Sequence, residues 1–228
     1  MFESSKTSRY RPPDFHEKYL TGRVIDIGGG ADVVTPNAER FDLDDGDANE
    51  ILRYRAPASY DCVYSSHCLE HMSDPPAALA QWWALVKPGG HLVVIVPHED
   101  LYEQGNWPSL FNPDHKATFR VNGTESWSPV SFDIGRLMRA LPQTEIVSVE
   151  VQDHGYDHSL RTHGRSGSKP LRRLTRWLIR RSKGGGSFAP AADRLLRALV
   201  ARGCPVDQTA AVALAQIQVI ARKRRLAA

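Results

Sequence analysis

Asp26-Ile27-Gly28-Gly29-Gly30 places a carboxylate directly before three residues that lack side chains. Such a turn lets backbone N–H groups approach a ligand with no Cβ in the way. The acid narrows the ligand: Asp26 suits a cationic ammonium and repels a pyrophosphate. A dinucleotide fingerprint also fails, because the third glycine of G-x-G-x-x-G falls on Val33. Taken alone, the glycines read equally well as a plain tight turn. Further on, Asp42 suits two ribose hydroxyls, and Asp47-Ala48 suits an adenine through a carboxylate and a backbone N–H. An acidic run of this kind is otherwise a solvated loop.

Histidines supply the second kind of chemistry. His67 and His71 are four apart and share a face if a helix starts there. His71 can take a proton from a hydroxyl or amine nucleophile, or serve as a capping residue. With Cys62 and Cys68 the two form C-x4-H-C-x2-H, which misses the usual pairing of C-x2-4-C with H-x3-5-H, so no metal site is expected. Asp114-His115, inside Phe111-Asn112-Pro113-Asp114-His115-Lys116, reads as a base with its orienting acid or as a polar knot closing a loop. His98 and Glu99 are weaker candidates of the same type.

These residues need a scaffold, and the apolar pattern describes one. Arg23 to Ile27 is a short β-branched strand, followed by strands at Glu39 to Leu43 and Tyr60 to Ser65. A helix spans Ala77 to Val86, stopped by Lys87-Pro88-Gly89-Gly90. His91 to Pro97 is apolar without alternation, which means burial on both faces in the middle of a parallel sheet. An irregular stretch to about Val130 follows, whose Trp107, Phe111, Phe119 and Trp127 need burial. Then come a helix at Ser131 to Leu141, a strand at Glu145 to Gln152, helices at Pro170 to Arg181 and Ala191 to Ala201, and a last strand within Ala213 to Arg222. The alternation predicts an α/β fold, a Rossmann-like doubly wound and mostly parallel sheet. A terminal antiparallel strand pair, Glu145–Gln152 with Ala213–Arg222, would close it.

The 228 residues suit one such domain, and no apolar run is long enough to span a bilayer. Met1 to Pro13 is polar and basic with no secretory h-region, and three cysteines cannot build a disulfide framework, so a cytoplasmic setting is expected. A net charge of +3 is too small to imply nucleic-acid binding. Its distribution is uneven: nine Lys or Arg and no acid lie between Arg161 and Lys183. In 170–181, Leu171, Leu174, Trp177 and Leu178 share a face among arginines. That helix suits peripheral contact with an anionic surface or a phosphorylated substrate, or else packs its stripe and solvates its charges.

Four segments in order resemble the successive motifs of class I S-adenosylmethionine-dependent methyltransferases, in the branch with a methyltransferase 11-type domain. They are Asp26-Ile-Gly-Gly-Gly, Gly46-Asp47-Ala48, Tyr60 to His71 and Leu85-Val86-Lys87-Pro88-Gly89-Gly90-His91-Leu92. The resemblance covers about Val24 to Pro97. It implies S-adenosyl-L-methionine as cofactor, with Asp26 and Gly28, Gly29 and Gly30 flanking the methionine part, Asp42 the ribose, and Asp47 and Ala48 the adenine. Ser65 and Ser66 would line the pocket below the methyl-bearing sulfur, with His71 beside it and His115 facing the acceptor. One methyltransferase domain over 1–228 is then expected, with 24–97 as cofactor-binding core, 98–130 as substrate-side loop region and 153–190 as a basic insertion. The implied reaction is methyl transfer to an oxygen or nitrogen of a small molecule or a glycan/lipid precursor. A non-catalytic binding module and an RNA methyltransferase are the alternatives; the base-methylation tetrapeptide expected of the latter is absent after Ser65. Two departures stand out. Asp32 replaces the family's third glycine, and Gly30 and Gly46 lie so close that the first helix and one strand–helix unit must be shortened or missing.

Overall fold

The computed structural model describes residues 3–121, 123, 125–164 and 169–225, so 165–168 of the basic segment and residues 1 and 2 of the basic N-terminus lie outside the described residues. Its centre is a six-stranded sheet. β1 (Val24–Ile27), β2 (Glu39–Phe41), β3 (Tyr60–Ser66) and β4 (Val86–Pro97) run parallel in the order β2-β1-β3-β4. β8 (Gln216–Lys223) and then β7 (Thr144–Gln152) extend the sheet antiparallel beyond β4. The register sets Asp26 beside Tyr64 and Ile27 beside Ser65.

Alternation along the buried strands divides the core into two layers. Ile25, Ile27, Val63, Leu92, Val94 and Val219 face Leu79, Trp82 and Trp83 of α3 (Pro75–Leu85) and Met138 of α4 (Ile134–Arg139). Val24, Cys62, Tyr64, Val93 and Ile95 face Phe15 and Tyr19 of α2 (Phe15–Tyr19). Asp26 lies on this second face, fully buried. α3 starts where a helix should: Asp74 accepts from the Ala77 N–H at 3.0 Å, and Pro75 follows it.

The short spacing between glycines has a structural counterpart. β1 reaches β2 through residues 28–38 with no helix, and β2 reaches β3 through a 3-10 turn at Ala48–Arg53. Trp82 holds that turn in place by donating its indole N–H to the Ala48 carbonyl at 2.9 Å. No α-helix begins at His67. His67 is in the left-handed region (φ 55°), and a single 3-10 turn, Leu69–His71, follows it.

Beyond β4, the irregular stretch carries β5 (Thr118–Arg120) and β6 (Ser131–Asp133), a small parallel pair that the sequence pattern did not signal. Glu99 fastens this stretch: its buried carboxylate accepts from Thr118 at 3.1 Å, Ser126 at 2.9 Å, and Ser131. α5 (Lys169–Lys183) and α6 (Ala189–Ala201) form a pair whose core is Leu178, Ile179, Ala192 and Leu196. Only part of the expected stripe is inward, since Thr175, Leu178 and Ile179 are buried while Leu174 and Trp177 are exposed. No helix among the described residues is long and apolar enough to cross a membrane.

Trp82 joins the sheet to the loop carrying Asp47 and Ala48, so Trp82→Ala should cost about 3–5 kcal/mol, read by urea unfolding. Trp82→Phe should retain most packing and lose the bond to Ala48, giving a smaller loss.

Candidate active site

Both acids that end neighbouring strands sit at the carboxyl edge of the sheet, where open α/β folds bind ligands. The Asp26 carboxylate lies beneath the glycine turn. One oxygen accepts from the Val34 N–H at 2.6 Å, and the other, Oδ1, has no partner. Gly28 and Gly30 adopt positive φ, 80° and 52°. A Cβ on Gly29 would sit 2.8 Å from the Asp26 carboxyl carbon, and one on Gly28 would sit 2.6 Å from Cys68. The turn is therefore bare because a carboxylate and a neighbouring loop press against it. Burial pushes the Asp26 carboxyl up to about 7, against the lowering effect of the Val34 N–H and the Arg11 charge.

Two cavities open at this edge and share Gly28, His67 and His71. The first, about 310 Å³, is lined by Asp42, Leu43, Gly46, Asp47 and Ala48. Asp42 follows β2 directly, with Oδ2 3.3 Å from the place a Gly30 Cβ would take. Asp47 caps the 3-10 turn, accepting from the Asn49 backbone at 2.8 Å. The second cavity, about 280 Å³, is lined by Gly29, Ser66, Glu70, Tyr102, His115 and Arg176 among others.

Ser66 keeps a buried Oγ without a partner in this second cavity. Ser65 instead donates to the Ile27 carbonyl at 3.0 Å and lies fully buried below the floor. Asp32 binds the backbone N–H of Ser5 at 2.9 Å and the Ser5 hydroxyl, which draws α1 (Glu3–Ser8) over the cleft so that Glu3 and Ser4 line it. The substituted third glycine thus became an anchor for a cover.

The histidines form one cluster. His71 Nδ1 contacts the Asp114 carboxylate at 3.0 Å, and His115 Nδ1 contacts Glu103 at 2.7 Å. Asp114 therefore orients His71, not its chain neighbour His115. Both Nε2 atoms turn toward the buried Glu70, whose Oε1 lies 4.0 Å from His71 and 3.9 Å from His115. His67 stands 3.5 Å from the same oxygen through Nδ1, and its Nε2 meets Gln216 at 3.0 Å. Burial opposes ionisation of Glu70, but His67, His115 and His71 outweigh it and hold the carboxyl below its ordinary value. Burial likewise opposes a charge on His67, and Glu70 and Glu3 overcome it to raise that pKa. The backbone clamps the cluster: Lys116 and Ala117 N–H groups donate to the Glu70 carbonyl at 2.7 and 3.2 Å.

Sequence spacing did not point to Glu70, Glu103, Tyr102, Gln216 or Arg176. Glu70 sits within a motif already singled out and could have been found there; the others come from distant segments. His98 accepts from the Asp100 N–H at 3.1 Å, and Glu99 is the fastening carboxylate described above, so both serve the loop. Cys62 is buried in the core layer behind the sheet, apart from the histidines.

A family model described as a methyltransferase domain matches residues 5–208. No curated protein matches. A chain in the complex of the Haloferax volcanii Trm112 methyltransferase activator with a methyltransferase is 13% identical, covering 98% of this chain and 90% of that one at TM-score 0.50. A SAM-dependent methyltransferase from Archaeoglobus fulgidus is 16% identical, covering 97% and 93% at TM-score 0.48. One from Thermotoga maritima is 14% identical, covering 98% and 88% at TM-score 0.47. At these identities the likeness concerns the fold alone.

The raised carboxyl of Asp26 has a measurable consequence. In the unfolded chain it ionises near 3.8 and in the folded chain near 7, so the folded state binds the extra proton in that window and loses stability as pH rises through it. A ligand ammonium favours the carboxylate, so affinity for S-adenosylhomocysteine should rise as pH increases from about 5.5 to 8, bending near 7. Calorimetry across that range should find the bend in the wild type and not in Asp26→Asn.

Proposed function

The chain belongs to the methyltransferase domain family, as a class I S-adenosylmethionine-dependent methyltransferase with that sulfonium nucleoside as its cofactor, and on this premise we propose that it methylates an oxygen or nitrogen of an anionic small molecule or glycan/lipid precursor. The observation that carries the reading is the pair of cavities meeting at Gly28, His67 and His71. One cavity has the carboxylates and backbone for a nucleoside; the other has the histidines and an arginine for an acceptor.

The cofactor fits what the chain offers. Asp42 would take the ribose hydroxyls, Asp47 and Ala48 the adenine, and the orphaned Asp26 Oδ1 behind the bare turn would take the ammonium. The bound cofactor supplies an already activated methyl group, so the protein's main task is alignment. Gly28 to Gly30 and Ser66 position the junction between the cavities, and α1 excludes water from it. His71, held at Nδ1 by the Asp114 carbonyl, and His115, held at Nδ1 by the Glu103 carboxylate, turn Nε2 toward the acceptor side and activate the nucleophile there.

Arg176 supports the acceptor's charge. It lines the second cavity from α5, pairs with Asp207 at 3.5 Å, and keeps a buried Nε without a partner. A phosphate or carboxylate would satisfy it. Around it, exposed Trp177 and Phe188 lie 5.8 Å apart beside Arg181, which suits peripheral contact with an anionic surface that presents such an acceptor. Three free cysteines support a reducing, cytoplasmic setting.

Calorimetry with S-adenosylhomocysteine tests the enzyme reading against a non-catalytic module: the wild type should bind, and Asp26→Ala should abolish binding. Loss of binding nowhere, or binding by neither protein, sinks the pocket assignment. In methyl-transfer assays over phosphorylated acceptors, His71→Ala and His115→Ala should chiefly lower kcat, while Arg176→Ala should raise KM about tenfold or more.

A further inference from the structure

Glu70 presents a physical problem. Its side chain is 1% exposed, and neither carboxylate oxygen has a hydrogen-bond partner. A buried charge is costly without paired or coordinated neighbours. Three imidazole nitrogens approach Oε1 at 3.5, 3.9 and 4.0 Å, where direct hydrogen bonds would close to about 2.7–3.2 Å. We propose that Glu70, His71 and His115 form a three-ligand site for a divalent transition-metal ion, zinc foremost, with its open position facing the second cavity.

Donor chemistry and spacing agree on this. One ligand atom from each residue lies within 4.8 Å of the others. Metal–ligand bonds of about 2.0–2.2 Å in tetrahedral geometry set ligand atoms about 3.4 Å apart, so the pairs to Glu70 close by about half an ångström and the widest pair by at most about 1.4 Å. Glu70 is free to approach both imidazoles, because no hydrogen bond fixes its carboxylate, and the partly exposed His71 ring supplies the rest of the closure. Two histidines and one carboxylate are a ligand set of catalytic zinc and of other open transition-metal sites, which leave room for water or substrate.

The surroundings of the two histidines argue independently for the same occupant. A metal-ligating imidazole donates its other N–H to a carboxylate or a backbone carbonyl, which fixes ring orientation and tautomer. His115 Nδ1 has Glu103 at 2.7 Å, itself 2% exposed, and His71 Nδ1 has the Asp114 backbone carbonyl at 3.2 Å. In this arrangement both rings offer the Nε2 lone pair to the space beside Glu70. Tyr102 packs against the His115 ring with centroids 5.3 Å apart and limits its rotation.

The site draws on segments far apart in sequence, which is why the cysteine-based spacing test could not detect it. Coordination by these three residues stands on geometry alone. Its use in the reaction rests on the methyl-transfer reading: an ion here would hold an acceptor hydroxyl oxygen and lower its pKa so that the proton passes to solvent water. The two imidazoles, with their Nε2 lone pairs on the ion, would then activate the nucleophile by holding the cation and not by taking the proton themselves.

The test uses the full chain, stripped with a chelator and titrated with Zn²⁺ and separately with Co²⁺, without cofactor. Bound metal is counted by mass spectrometry, and cobalt coordination is read from its visible absorption. Wild type should take up one equivalent, with cobalt bands typical of a site of mixed nitrogen and oxygen ligands. Glu70→Gln and His115→Ala should each weaken binding at least tenfold, and Glu103→Gln about 10–100-fold through ring orientation. His158→Ala, which removes an exposed histidine paired with Asp153, should bind like wild type. Thermal unfolding and S-adenosylhomocysteine calorimetry on every variant separate lost ligands from lost fold. His71→Ala, at a partly exposed position, is the variant least disturbing to folding and should also weaken binding tenfold. The proposal is overturned if stripped wild type takes up less than one equivalent, or if folded Glu70→Gln, His115→Ala and His71→Ala bind metal as wild type does. Metal binding without cofactor binding would sink the function proposed above and leave this site standing; the reverse outcome would do the opposite.

Discussion

A carboxylate buried under a turn of backbone governs the carboxyl edge of this sheet. Asp26 ends the first strand facing the layer packed by α2, and its position explains the glycines, since a side chain at Gly29 would collide with it. The same constraint sets the chemistry. Desolvation raises the Asp26 carboxyl to about 7 and leaves one oxygen unbonded, a cost that a cationic ligand would offset. Residues 28–38 then cross to β2 without a helix, which brings Asp42 to the same turn. The geometry of this edge thus follows from how little chain separates two strands.

The second cavity is built differently, from long-range polar fastening. Residues 98–130 contain little regular structure, yet Glu99 gathers Thr118, Ser126 and Ser131 around one carboxylate. The backbone of Glu70 clamps Lys116 and Ala117, and this brings His115 beside His71. Buried polar networks of this sort are stabilising only when their members are satisfied, so they tend to specify a single arrangement. Here the arrangement concentrates two buried acids and three imidazoles at the wall of one cavity. Its unsatisfied atoms mark where a ligand would bind.

The N-terminal and C-terminal parts of the chain complete the cleft. Asp32, in the place of a glycine, holds α1 across the opening, and α5 delivers Arg176 to the far wall. Both features line the cleft without altering the sheet. A fold can keep its cofactor geometry while covers and inserted helices determine the acceptor.

Local sequence determined the frame. An unalternated run at His91 to Pro97 can only be a strand buried on both faces, and the observed β4 is central. Asp26 with its glycines, and Asp42 at the end of the next strand, were legible because strand, turn and acid are contiguous. The antiparallel closing pair followed from two apolar segments late in the chain. Tertiary structure alone decided which polar groups meet. Ser65 and Ser66 are neighbours, yet strand alternation sends one beneath the floor and the other into the cavity. Asp114 and His115 are neighbours too, but one turns to His71 and the other to Glu103. Periodicity carries information over a few residues, whereas a buried hydrogen bond joins whatever the topology brings within about 3 Å. For that reason Glu103 and Arg176, contributed by two distant segments, could be brought to the cleft only by the folded chain, whereas Glu70 lay within a motif the sequence already offered.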